Sequence, residues 1–209
     1  DVFFGIKGKK IDGNKFADEA IRNGAAIAFV DKNNLKKNKK KIRVKNSLKL
    51  LSETSNLIRK LSNIKAIAIT GSSGKTSVKD LLGHTINKLD KTSYSKKSFN
   101  NKYGVPLSLF NIKKNDKFGV FEVGMDKKGE IDYLTKLIQP DIGLITNISY
   151  AHIKNFNNLL GIALAKSEII NNITKGGTII LNKDDKFFNL FQKKAHKKNL
   201  NIISFGMKK

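Results

Sequence analysis

The residues best suited to chemistry are Thr70-Gly71-Ser72-Ser73-Gly74-Lys75-Thr76-Ser77. Gly71 and Gly74 let the backbone approach phosphate oxygens, and a helix starting here would aim its unpaired N–H groups at the same anion. Lys75 supplies a point charge for the outer phosphates, and the Thr76 hydroxyl is an oxygen ligand for Mg²⁺. Ser72, Ser73 and Ser77 complete a cradle for a nucleoside triphosphate. The commoner phosphate loop would place its first glycine at position 69, which is Ile69 here, so this loop is a short form. A second hard ligand belongs at the end of a neighbouring strand, and Glu122 in Phe118-Gly119-Val120-Phe121-Glu122-Val123-Gly124-Met125 occupies that place. His152 follows the apolar run Ile142 to Ile148 and so falls in a loop just past a strand end. Lys166 is not set apart from the other lysines by spacing.

Positioning these residues requires a sheet covered on both faces. From Ile64 onward, short apolar runs alternate with amphipathic stretches, as expected for parallel strands connected by helices. The runs predict strands at Ile64–Thr70, Phe118–Val123, Ile142–Ile148, Thr178–Leu181 and Ile202–Phe205, with helices near 75–89, 129–138 and 158–173. The first of these helices has an apolar stripe of Val78, Leu81, Leu82, Ile86 and Leu89. Before this region, Val2 to Gly8 reads as a strand running into a glycine turn, followed by a helix from about Lys15 to Asn23 and a strand from Ala25 to Val30. Lys36 to Lys41 reads as a solvated loop. Leu48, Leu51, Leu57, Ile58 and Leu61 predict a linking helix over 47–61, with a domain boundary near Ser62. The fold class is therefore α/β: a small N-terminal α/β unit, then a mostly parallel sheet with helices on both faces.

Composition narrows the function. The 209 residues carry 41 Lys and Arg against 17 Asp and Glu, a formal charge of +24, which would suit an anionic partner. Only Arg22, Arg43 and Arg59 are arginines, however, and nucleic-acid readers depend on arginine for bidentate contacts. No nucleic-acid partner is expected. The absence of cysteine excludes disulfides, thiolate nucleophiles and thiolate-bound zinc, and three scattered histidines form no dense cluster, so a metal must lean on oxygen ligands. No apolar run reaches the roughly 18 residues of a membrane span, and Asp1 to Gly5 lacks the order of a signal peptide. The expected location is cytoplasmic.

Several further blocks carry a family resemblance. They are Phe4-Gly5-Ile6-Lys7-Gly8, Asp12-Gly13-Asn14-Lys15-Phe16 and Asn23-Gly24-Ala25 in the first unit, then the short TGxxGKT loop and Ser98-Phe99-Asn100-Asn101-Lys102-Tyr103-Gly104-Val105-Pro106. Glu122-Val123-Gly124-Met125, Gly129-Glu130-Ile131, Thr146-Asn147-Ile148 and Ala151-His152 complete the set. Over nearly the whole chain, these resemble the Mur ligase family, closest to its MurF branch. The resemblance implies an N-terminal UDP-substrate-binding domain with its linker helix over 1–62, a central ATP-binding domain over 63–209, and no C-terminal domain.

The resemblance further implies an ATP-dependent amide ligase acting through an acyl phosphate, with UDP-N-acetylmuramoyl-tripeptide and D-alanyl-D-alanine as partners. Lys75 would hold the β and γ phosphates, Thr76 and Glu122 one Mg²⁺, and His152 with a carbamylated Lys166 a second Mg²⁺. Asn100 and Asn101 would face the muropeptide and Asn147 the nucleotide, in a monomer. Lys154 and Asn157-Asn158 depart from the family pattern in the loop before Lys166. Because the chain runs from Asp1 to Lys209, a fragment inactive by itself is expected. The rival readings are another Mur or folylpolyglutamate-type ligase and a nucleic-acid-dependent P-loop NTPase.

Overall fold

The computed structural model describes residues 1–8, 10–31, 38–150, 155–156 and 158–207. The chain divides into two compact units, Asp1–Thr54 and Ser55–Lys209. In the first, β1 (Val2–Gly5), β2 (Ile27–Val30) and β3 (Lys41–Arg43) form a parallel sheet in the order β1-β2-β3. Between β1 and β2 the chain makes a 3₁₀ turn, Gly13–Phe16, that continues as α1 (Ala17–Arg22). The expected single helix therefore begins in 3₁₀ form, where the Asp12 carboxylate accepts from the Asn14 N–H at 3.0 Å. Ala17, Ala28 and Val30 form the small core.

Two expectations change in this unit. Lys41, read as loop, opens β3 and pairs with Ala28, while its ammonium reaches Asp18 at 2.6 Å. A three-residue strand of Lys-Ile-Arg has no apolar run, so only its partner β2 makes it a strand. The division between units falls inside α2 (Ser47–Leu61), not at Ser62. The reason is that α2's last turns are bonded within the second unit. Arg59 Nε donates to Ile138 O at 2.6 Å, Arg59 Nη2 to Gln139 O at 3.0 Å, and Asn56 Nδ2 to Leu137 O at 3.0 Å.

The second unit is built on six parallel strands: β4 (Lys65–Thr70), β5 (Thr92–Tyr94), β6 (Phe118–Glu122), β7 (Ile142–Ile145), β8 (Thr178–Asn182) and β9 (Asn201–Phe205). Their order is β5-β6-β4-β7-β8-β9. The intervening helices are α3 (Lys75–Asn87), α4 (Gly104–Phe110), α5 (Glu130–Ile138), α6 (Leu159–Lys166) and α7 (Phe188–Lys197). Alternate residues of the central strands bury on opposite faces, as the two-residue period of a strand requires. Ile67, Ile69, Val120 and Leu144 pack with Val78, Leu82 and Ile86 of α3. Ala66, Ala68, Phe121, Val123 and Ile145 join the larger core that also takes in residues of α4 to α7. Among the described residues no helix is long and apolar enough to cross a membrane.

Every strand expected in this unit is present, but β7 ends at Ile145 instead of Ile148, because residues 146–149 turn away to bond the phosphate loop. The helix expected over 158–173 is α6 followed by a 3₁₀ stretch, Ser167–Asn172. Strand β5 and helices α4 and α7 were not expected. Since β4 lies between β6 and β7, successive strands are added on either side of it, and the crevice beyond its carboxyl end is where such a sheet binds ligands. The Gly71–Ser77 loop leaves β4 at that point.

Candidate active site

The loop keeps its shape through contacts with the segment that follows β7. Thr70 pairs with Ile145, so Thr146 comes to lie beside Gly71. Thr146 Oγ1 donates to Ser73 O at 2.6 Å and fills the space that a side chain at 71 would need: a Cβ there would sit 1.9 Å from that hydroxyl. Gly71 also has φ of +148°, so glycine is required on both counts. Ser72 N donates to Asn147 O at 2.9 Å, and Ser73 N and Oγ donate to Asn147 Oδ1 at 3.2 and 3.1 Å. Ser72 Oγ donates to Ser149 O at 3.0 Å. Gly74, at φ of +80°, opens α3 without a capping side chain, leaving the first-turn amides of Lys75, Thr76 and exposed Ser77 for an anion.

Two lysines converge on one carbonyl of this loop. Lys75 Nζ donates to Gly71 O at 2.9 Å, and Lys166 Nζ donates to the same oxygen at 2.8 Å from the end of α6. Lys166 is 1% exposed. Burial, reinforced by the charge of Lys75, brings its pKa from 10.5 down to about 7. Burial also lowers the pKa of Lys75, opposed by the nearby Glu122 carboxylate. Such crowding of positive charge around a glycine loop is suited to a polyphosphate.

Beside Lys75 lies a pair of oxygen donors. Thr76 Oγ1 donates to Glu122 Oε2 at 2.8 Å, and Asn100 Nδ2 donates to the other carboxylate oxygen, Oε1, at 2.7 Å. Ser98 Oγ stands 3.4 Å from Thr76 Oγ1. Mg²⁺ with oxygen ligands at about 2.1 Å has octahedral edges of about 3 Å, so the 2.8 Å separation of Thr76 and Glu122 suits two adjacent ligand positions. Both are hard oxygen donors, and the pair fits the ion.

The structure thus brings Gly71, Ser72, Ser73, Gly74, Lys75, Thr76, Asn100, Glu122, Asn147 and Lys166 into one region. Asn101 instead caps the start of α4, where its Oδ1 accepts from Tyr103 N and Gly104 N, both at 3.0 Å. His152, with Lys154 and Asn157, lies outside the described residues. Sequence reasoning did not find Ser98 or Thr146 as parts of the site. Thr146 had a usable signal, because a strand parallel to β4 must end beside the loop; Ser98 had none.

Residues 69–209 match the Mur ligase middle domain, and residues 1–65 match the Mur ligase family, catalytic domain. The chain is 39% identical over 208 residues to the UDP-N-acetylmuramoyl-tripeptide--D-alanyl-D-alanine ligase of Buchnera aphidicola subsp. Acyrthosiphon pisum, covering 100% of this chain and 45% of that relative. MurF from Acinetobacter baumannii is similar in structure, with a TM-score of 0.89 and 34% identity over 99% of this chain and 45% of that one. The MurF ligase from Thermotoga maritima in complex with ADP gives a TM-score of 0.85 at 29% identity, over 99% of this chain and 47% of that one. The chain accordingly spans a little under half the length of the relatives it matches. With one family model covering its first 65 residues and another covering residue 69 onward, the chain belongs to the Mur ligase family.

Proposed function

We propose that this chain binds Mg-ATP and serves an amide ligase that joins D-alanyl-D-alanine to UDP-N-acetylmuramoyl-tripeptide. The observation that carries this reading is the convergence of Lys75 and Lys166 on the Gly71 carbonyl, together with the Thr76–Glu122 oxygen pair on the same glycine loop and neighbouring strand. Likeness to the Buchnera and Acinetobacter proteins supports the choice of substrates.

In this reading, the tripeptide carboxylate attacks the γ-phosphorus of ATP, ADP leaves, and the resulting acyl phosphate is displaced by the amine of D-alanyl-D-alanine. The chain contributes positioning and charge neutralisation. The Gly71–Ser77 amides receive the phosphates, and Lys75 leaves its carbonyl partners to meet the β and γ oxygens. Thr76 and Glu122 would hold one Mg²⁺, which would screen the charge on the transferring phosphoryl group. Asn100 orients the Glu122 carboxylate through Oε1 and faces the muropeptide; Asn101, its Oδ1 occupied at the start of α4, would offer that substrate only its amide N–H groups. Asn147 shapes the nucleotide side of the loop through Ser73.

Lys166 supports the finer part of the proposal. As an ammonium it repels a cation, but burial makes its neutral amine abundant near neutral pH, and a neutral amine adds CO₂ to become an anionic carbamate. Carbamylated Lys166, with His152, would hold a second Mg²⁺. Residues 1–62 receive the UDP portion, residues 63–209 the ATP, and the protein acts as a cytoplasmic monomer.

Phosphate release by the protein in its native reading frame tests the reading, with Mg-ATP and UDP-N-acetylmuramoyl-tripeptide, with and without D-alanyl-D-alanine. Release should require both acceptor substrates and disappear in Lys75→Ala. Absence of release with both present, together with ATP hydrolysis stimulated by polynucleotide, would overturn it.

A further inference from the structure

Lys79 lies one turn beyond Lys75 on α3 and is completely buried. A lysine ammonium in such a place requires acceptors for all three of its N–H directions. It has them: Asp80 Oδ1 at 2.6 Å, Ser95 O at 2.9 Å and Lys97 O at 2.9 Å. Two of the three belong to the segment that follows β5. Lys97 has φ of +48°, a left-handed conformation unfavourable for a residue with a Cβ, and its carbonyl is aimed at the ammonium.

The same segment ends at the metal-binding pair. Ser95 N is tied to Val120 O on β6 at 3.0 Å, and the chain then turns, with Phe99 N donating to Lys96 O at 3.2 Å and Asn100 N to Ser98 O at 2.8 Å. Three residues past the first Lys79 contact, Ser98 Oγ meets Thr76 Oγ1, and two residues later Asn100 Nδ2 meets Glu122 Oε1. Asn100 O also accepts from Gly124 N at 2.8 Å. Residues 95–100 therefore form a short brace. One end is bolted to α3 by a buried charge, and the other presses an amide onto the Glu122 carboxylate.

We propose that Lys79 is a positioning residue for the Thr76–Glu122 oxygen pair, its ammonium fixing the 95–100 segment so that Asn100 holds the carboxylate at the angle a cation needs. This rests on the reading of Thr76 and Glu122 as Mg²⁺ ligands. Lys79 touches neither nucleotide nor metal; it acts through Lys97, Ser98 and Asn100. Charge-assisted bonds to two carbonyls at once are what a smaller or neutral side chain could not supply.

Calorimetric titration with ADP, in EDTA and in excess Mg²⁺, separates this role from general support of the fold. Lys79→Met in the protein from its native reading frame should bind ADP in EDTA within about twofold of the parent, while the gain in affinity conferred by Mg²⁺ falls by about tenfold or more. An unchanged Mg²⁺ gain, or equal weakening in both buffers, overturns the proposal. If the Met variant does not fold, Lys79→Gln, which keeps donors in the niche without charge, must show the same split. A parent protein whose ADP affinity is indifferent to Mg²⁺ refutes the metal-site reading itself, and the proposal with it.

Discussion

Replacing Lys166 by methionine isolates the energy stored in burying an ammonium beside Lys75. The folded pKa is about 7 and the ordinary value 10.5. The folded-state value is the lower one, so between these limits the unfolded chain holds the proton that the folded chain has released, and stability rises with pH across that window. The shift corresponds to a penalty of about 5 kcal/mol at pH 6, of which about 2 kcal/mol remains at pH 9. Methionine carries no such penalty, and its loss of the bond to Gly71 O does not depend on pH.

The parent should therefore gain about 2–3 kcal/mol relative to Lys166→Met between pH 6 and pH 9. Urea unfolding of both proteins at the two pH values, in buffer free of CO₂, metal and nucleotide, gives the double difference and cancels groups common to both. A double difference within about 0.5 kcal/mol of zero would refute the argument that burial sets this pKa. Burial makes the neutral amine of Lys166 far more accessible near neutral pH than that of a solvated lysine, which is what the proposed carbamylation would require.

Three other outcomes follow from the geometry. Gly71→Ala forces a Cβ to within 1.9 Å of Thr146 Oγ1 at positive φ; it should cost about 2–4 kcal/mol in urea unfolding and abolish ADP binding measured by calorimetry. Glu122→Gln leaves the fold intact by circular dichroism but raises the Mg²⁺ concentration for half-maximal phosphate release by at least about tenfold, since a neutral amide replaces an anionic ligand and also turns an N–H toward a donor. Arg59→Leu strands the Ile138 and Gln139 carbonyls and removes the ion-pair partner of Asp141, so the unfolding free energy should fall by about 2–3 kcal/mol, with ADP affinity unchanged.

The glycine loop and its helix were readable from the chain because everything that defines them is contiguous: an apolar strand, two glycines, a lysine and an amphipathic stripe within about twenty-five residues. Glu122 was readable because strand ends are where a parallel sheet places ligands. Strands β3 and β5 were not, as three residues of mixed polarity carry no period and become strands only by pairing with β2 and β6. Asn101 shows the converse, a polar residue within a family-like block whose Oδ1 is occupied at the start of α4.

By itself, then, the sequence determined the glycine loop, its helix and the longer apolar strands, because these depend on near neighbours and on the two- and 3.6-residue periods. Only the tertiary structure decided which lysines matter. Lys166 is one of 41 basic residues and Lys79 another. The first is brought to Gly71 across 95 positions of sequence, and the second is enclosed by a segment 16 to 18 positions away. Desolvation and hydrogen-bond partners come from the surrounding fold, and they lower the pKa of one lysine and enclose the other among three acceptors.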